Sequence, residues 1–219
     1  MNKVFLILIA TLILMSCESR EKKIQMAISQ ELKGVLYSFD SYEPIKTKID
    51  SAYSTPYIDP MVKDLILSMG TLSPELEKAK IDYNNALSHI ALWNTHSAFS
   101  RQQREEAIFK RDAAKNRIVA IQSQLKSIMK ELYTRVNEDN VKDREFIGWF
   151  VTQRYKCNTR GGYPDFGDDV FVFNENITDC IFYMSSKDYE TLCNYVDQIL
   201  SVPEDEFIKA LEDVNLLVQ

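Results

Sequence analysis

From Ser100 to Val136 the chain runs for 37 residues without a glycine or a proline. Within that stretch Ile118, Ile121, Leu125, Ile128 and Leu132 step by three and four, a heptad-like seam. This spacing lays one apolar stripe along a helix and asks for a second helix to cover it. At 1.5 Å per residue the stretch would extend about 55 Å. The architecture is therefore built around a long helix and whatever buries its seam.

The segment before it supplies a partner. Ser73-Pro74-Glu75 reads as a helix start, with a capping hydroxyl, proline in the first turn and an acid at the positive end of the dipole. Leu76, Ala79, Tyr83, Ala86, Leu87, Ile90 and Trp93 trace its buried face. Pro74 to Trp93 would span only about 30 Å. The pattern loosens at 94–97, and Ser100-x-x-Gln103 fits a capping box for the next helix. The expectation is a hairpin of unequal arms whose surplus is covered by an amino-terminal helix over Ser19–Leu36, where Ile24, Ala27, Ile28, Leu32 and Leu36 share a stripe. One continuous helix through residue 94 is the alternative for 74–136.

Elsewhere the period shortens. Ile45, Thr47 and Ile49 alternate with charged residues, as do Trp149, Val151, Gln153, Tyr155 and Cys157 with their neighbours, which is the two-residue period of strands. A short helix is expected over Met61–Met69, stopped by Gly70. A wide loop is expected over 158–169, with strands at Val170–Phe173 and Thr178–Met184, a helix from Ser186, and a last helix opened by Ser201-x-Pro203-Glu204. The fold class is α+β: a long helical hairpin or bundle with a small antiparallel sheet and carboxy-terminal helices. The expected divisions are a leader over 1–16, a helix, strand and irregular segment over 17–72, the hairpin over 73–138, and a sheet with two helices over 139–219. The last is packed with 40–55 as one domain, the 45–53 strand joining as a fourth and clasping the hairpin between two parts of the sheet.

Composition narrows the function. A formal charge of −6 and a pI near 5.1 argue against a nucleic-acid partner, which needs clustered lysine and arginine. Six glycines cannot assemble a phosphate-binding loop, and two histidines with four cysteines leave little for a metal site. His89 and His96, seven apart, would sit about 10 Å from each other on one helix, too far to share a metal ion.

The amino terminus, Met1 to Arg20, begins with Lys3 and an unbroken apolar run over Val4–Met15. Twelve residues are too few to cross a bilayer, which takes roughly 20, but they suit the core of an export signal. Leu14-Met15-Ser16-Cys17 follows. This stretch resembles the lipobox of bacterial lipoproteins. The resemblance implies that Cys17 takes a diacylglycerol on its thiol, that the leader is cut before it, and that the new amine is acylated. Removing sixteen residues, Lys3 among them, would leave 203 and move the charge from −6 to −7. Glu18, rather than an aspartate, implies the outer membrane under enteric-type sorting. The segments Asp40–Ile45, Phe146–Trp149 and Tyr155–Gly162 resemble uncharacterised small lipoproteins of the Bacteroidota type. From that group comes one further implication: Asp50-Ser51-Ala52 is similar to its O-glycosylation motif, which would place a sugar on Ser51.

Residues that carry chemistry are few. Cys157, Cys180 and Cys193 remain after the anchor, and in an oxidising compartment 157–180 and 180–193 are both conceivable disulfides, as are buried thiols. None has a histidine partner at a hydrolase spacing. Asp165-Phe166-Gly167 reads as a turn. Tyr163, Phe166 and Arg160, with Trp149, Arg154 and Tyr155, could line a groove for a glycan or peptide, or simply fill a thin core. The expected role is a non-enzymatic envelope lipoprotein, structural or protein-binding. It needs no cofactor, holds the bilayer through acylated Cys17 and has an envelope protein as partner, its oligomeric state left open. A glycan- or peptide-binding module is the alternative, and a hydrolase with dispersed catalytic residues the third reading.

Overall fold

A computed structural model describes residues 19–94 and 97–213. Among them are five helices and one four-stranded antiparallel sheet, an α+β fold. In chain order these are α1 (Arg20–Val35), β1 (Ser38–Tyr53), a 3-10 turn (Pro56–Ile58), α2 (Pro60–Leu92), α3 (Ala98–Val141), β2 (Phe146–Asn158), β3 (Pro164–Asn174), β4 (Cys180–Ser185), α4 (Ser186–Ser201) and α5 (Glu204–Asp213). The leader over 1–16, Cys17, His96 and Val214 lie outside the described residues.

Two compact units divide the chain at places other than 72/73 and 138/139. The first ends at Ser54 and resumes over Asp143–Thr191; the second is Thr55–Lys142 together with the chain from Leu192 onward. The boundary thus runs through α4. Its reason is visible in the sheet, whose order is β1-β2-β3-β4. Strands β1 and β2 are hydrogen-bonded neighbours although 92 residues separate Tyr53 from Phe146, which pair at their shared end. The hairpin is therefore, along the chain, an insertion between two adjacent strands of a single sheet that is not divided into two parts. Ser54 N–H donates to the Glu145 carbonyl at 2.8 Å, and Glu145 N–H to Ser54 Oγ at 3.0 Å, closing the neck.

In the first unit α1 starts at Ser19, whose hydroxyl caps Lys22 N–H, and drives Ile24, Ile28 and Leu32 against Val151, Tyr155, Phe171 and Phe173 of the sheet. The sheet core, and not the hairpin, takes this helix: its apolar stripe meets a row of large strand residues. β1 begins at Ser38, seven residues before the alternation predicts. Pro44 is tolerated because β1 is an edge strand and the register shifts around it. The wide loop of 158–169 is a tight turn instead. Thr159 N–H reaches the Tyr163 carbonyl at 2.8 Å, and β3 opens at Pro164, so Asp165-Phe166-Gly167 is strand. Two glycines serve close approach. A Cβ on Gly148, at φ +147°, would stand 1.9 Å from the Phe173 carbonyl oxygen; one on Gly167 would stand 2.1 Å from Tyr155 Cζ.

In the second unit α2 and α3 form an antiparallel hairpin, tied by Arg117–Asp82 at 3.3 Å and Arg135–Asp59 at 2.6 Å. Ala79, Ile118 and Ile121 make its core, with Leu72, Leu76, Tyr83 and Leu125 packed on them. The arms are 33 and 44 residues, less unequal than expected, because α2 runs straight through Gly70 and Pro74. Asp59 caps it, accepting from Met61 N–H at 2.8 Å. Ser73 does not start a helix; its hydroxyl donates to the Met69 carbonyl at 3.0 Å. Glycine costs a helix interior about 1 kcal/mol and proline about 3, and burial of Leu72, Leu76 and Ala79 outweighs both. Likewise α3 starts at Ser97, which accepts from Ser100 N–H, while Ser100 itself is buried. Leu87, expected inside, is exposed.

Candidate functional site

The register across the sheet places Thr47, Gln153, Asp169 and Ser185 in one row. In the middle of this row, under α1, lies the most polar interior of the first unit. Gln153 is wholly buried; its Oε1 accepts from Thr47 Oγ1 at 2.7 Å and from Gln25 Nε2 of α1 at 3.4 Å. One strand over, Asp169 is 4% exposed, and its Oδ2 accepts from the hydroxyls of Tyr155 at 2.9 Å and Tyr183 at 3.1 Å. Tyr42 leans over Tyr155 with ring centres 5.5 Å apart, and its buried hydroxyl has no hydrogen-bond partner.

Burial sets the protonation of this cluster. Burial raises the Asp169 carboxyl pKa; the two tyrosine hydroxyls lower it, but less, and Asp168 raises it further. Burial, and then the Asp169 charge, push Tyr42 up to about 12 and raise Tyr155 and Tyr183 as well. The phenols keep their protons and donate them to one carboxylate oxygen. Cys157, at the end of β2, is raised by burial and then by Asp165 and Asp169, so its thiolate is disfavoured. The arrangement ties all four strands and α1 together. Sequence reading placed Gln153 in the alternating strand and Asp169 at the end of the expected loop over 158–169, with nothing to join them. The register alone makes them neighbours.

The predicted site residues scatter. Arg160 stacks over Tyr37 at 5.5 Å, beside a cleft of 590 Å³ lined by Lys33, Tyr37, Phe39, Asp40, Ser41 and Asn158. Tyr163 and Phe166 are 74% and 60% exposed but line no part of that cleft. Phe166 pairs with Lys156 on the sheet face away from Tyr155, and Tyr155 itself is core. Arg154 is exposed, whereas Trp149 is half-buried, with Arg20 stacked 4.1 Å over its ring. Ser51 is exposed on the edge strand β1.

Among the described residues no disulfide forms, and Cys157, Cys180 and Cys193 are half-buried thiols. A 157–180 bridge is geometrically barred. Cys157 pairs with Asp165 and Cys180 with Phe173, eight strand positions apart, or about 27 Å, against the roughly 7 Å limit between Cα atoms. His89 lines a 370 Å³ groove on the hairpin with Asp82, Glu106, Lys110 and Arg117. No group of three acids, histidines or cysteines among the described residues could hold a metal ion. No described helix is long and apolar enough to cross a membrane. No family model, curated protein or solved structure matches this chain.

Proposed function

We propose that this chain is a non-enzymatic lipoprotein of a bacterial envelope, held at a bilayer through acylated Cys17, whose helical hairpin binds an envelope protein. The observation that carries the interaction role is the outer face of α2. Leu67, Ile81 and Leu92 are exposed there, and spacings of 14 and 11 residues bring them within about 40° of one another. Ala79 and Ala86, turned the other way, are buried. On α3 Phe109 is exposed too. An apolar row along one exposed helix face is one that a partner's helix or groove can cover. Glu18 supports outer-membrane sorting.

Two measurements test this reading. Metabolic labelling with an alkyne fatty acid should mark the wild type and not Cys17→Ala, which should leave the membrane fraction; labelling of neither would remove the anchor. A photo-crosslinker at Ile81 or Phe109, in cells, should give a discrete protein adduct that Leu67→Ser with Leu92→Ser abolishes. Absence of any adduct would end the binding role.

A second reading, a glycan- or peptide-binding module, is favoured by the exposed Tyr37, Tyr163 and Phe166 and by Arg160 at one end of the sheet. Titration calorimetry with peptidoglycan fragments distinguishes it: binding lost in Tyr37→Ala supports it, and no heat with any fragment excludes it.

A further inference from the structure

At the opposite end of the same sheet, three aromatic rings and a guanidinium form a continuous patch. Arg20, in the first turn of α1, lies over the Trp149 ring at 4.1 Å. Phe146 meets Trp149 edge-on at 5.5 Å, and Tyr53 meets Phe146 edge-on at 6.0 Å. The Trp149 indole N–H donates to the Glu175 carbonyl at 3.1 Å, which orients the ring. Phe146 is 41% exposed and Tyr53 46%, so these two rings face outward, while Trp149 is half-buried with its inner side on the core of the first unit. Lys22 and Lys23 follow Arg20, with Glu21 the acid of that turn.

We infer that this patch seats the first unit in the headgroup layer of the bilayer that holds Cys17, an inference resting on the acylation proposed above. The length of the tether carries it. Only Glu18 separates Cys17 from Ser19, the cap of α1. Two Cα steps reach at most about 7 Å. The polar layer on each side of a bilayer's hydrocarbon is also about 7 Å deep. A glyceride-bound Cys17 therefore keeps the start of α1, and Arg20 with it, within or at the outer edge of the headgroup layer. Tryptophan and tyrosine, with an apolar ring and a polar edge, are the side chains that partition to that layer. Arginine and lysine there meet lipid phosphates. A chance surface patch would have no reason to stand at the one point the tether pins. With α1 about 24 Å long, the Tyr37 and Arg160 end of the sheet is then held away from the membrane.

The test uses the full acylated protein, extracted from membranes and carrying Trp93→Phe so that Trp149 is the sole tryptophan. It is returned to phosphatidylethanolamine–phosphatidylglycerol vesicles containing phospholipid brominated close to the glycerol backbone. Trp149 emission should be quenched several-fold more than by lipid brominated at the chain ends. Phe146→Ser with Tyr53→Ser should weaken that quenching several-fold while far-UV circular dichroism stays unchanged. Should the pair fail to fold, the unaltered rings give a second readout: acrylamide quenching of Trp149 should fall several-fold on vesicle binding. Mass spectrometry separates the failures. Acylated Cys17 with Trp149 indifferent to brominated lipid and to vesicles overturns the seat and leaves the anchor; an unmodified Cys17 overturns both.

Discussion

Single residues decide how tightly the first unit is packed. Gly167 has no side chain because the Tyr155 ring occupies that space, so Gly167→Ala should cost about 1–3 kcal/mol by overpacking. The check is urea unfolding in a double-mutant cycle with Tyr155→Ala. A strong favourable coupling is expected, and simple additivity would mean the ring is not what the new methyl meets. Asp169 makes stability depend on pH in an unusual direction. Its folded pKa is raised, chiefly by burial, so the native state binds the proton more tightly than the unfolded chain does. Its stabilising contribution is complete below the unfolded pKa of about 3.9 and is lost as pH rises through the higher folded value. Asp169→Asn, neutral throughout, should therefore gain on the wild type as pH rises from about 4. Parallel urea midpoints for the two proteins would contradict the raised pKa. Both residues bear on how much was legible in advance. Tyr155 was visible as an aromatic in a strand, but alternation says only which face a residue takes, not that a glycine must lie beneath its ring.

At the scale of elements, α2 is the instructive case. Gly70 sits mid-helix with nothing within 4 Å of an added Cβ. Gly70→Ala should raise stability by about 0.5–1 kcal/mol. Pro74→Ala restores a backbone donor to the Gly70 carbonyl and should add about 1–2 kcal/mol, offset in part by a looser unfolded chain. Thermal unfolding followed at 222 nm measures both, and a loss in either variant would mean the helix breaks there. At the amino end Asp59 does two jobs, capping Met61 N–H and accepting from Arg135. Asp59→Asn keeps the cap and gives up the ion pair, in which Arg135 is 43% and Asp59 9% exposed, and should cost less than about 1 kcal/mol. Asp59→Ala loses both and should cost about 1–2 kcal/mol. Equal denaturant midpoints for the two variants would remove the cap from the account. Local signals pointed to a stop at Gly70 and a start at Ser73. They describe what a helix would prefer in isolation, and the burial of Leu72 and Leu76 was not among them.

At the scale of the whole molecule, each unit has its own apolar core, one around Val151 and Phe171 and one around Ala79 and Ile118. A tryptophan falls in each. Trp93→Phe leaves Trp149 to report the sheet, while the signal at 222 nm is dominated by the long helices. The two urea transitions should have separate midpoints, and coincident curves would show a single cooperative unit. What the amino-acid order determined unaided was whatever depends on near neighbours: the long seam of α3, the alternation of β2, the amphipathic stripe of α1 and the mixed α+β class. Helix and strand periods are local properties, set by side chains three, four or two residues apart. Tertiary structure alone decided that α1 covers the sheet, that β1 pairs with β2 across the inserted hairpin, that Gln153 and Asp169 share a row, and that Arg20 meets Trp149. Each of these joins residues far apart in the chain. Several apolar surfaces could have covered the same stripe, and only the simultaneous packing of all of them selects one.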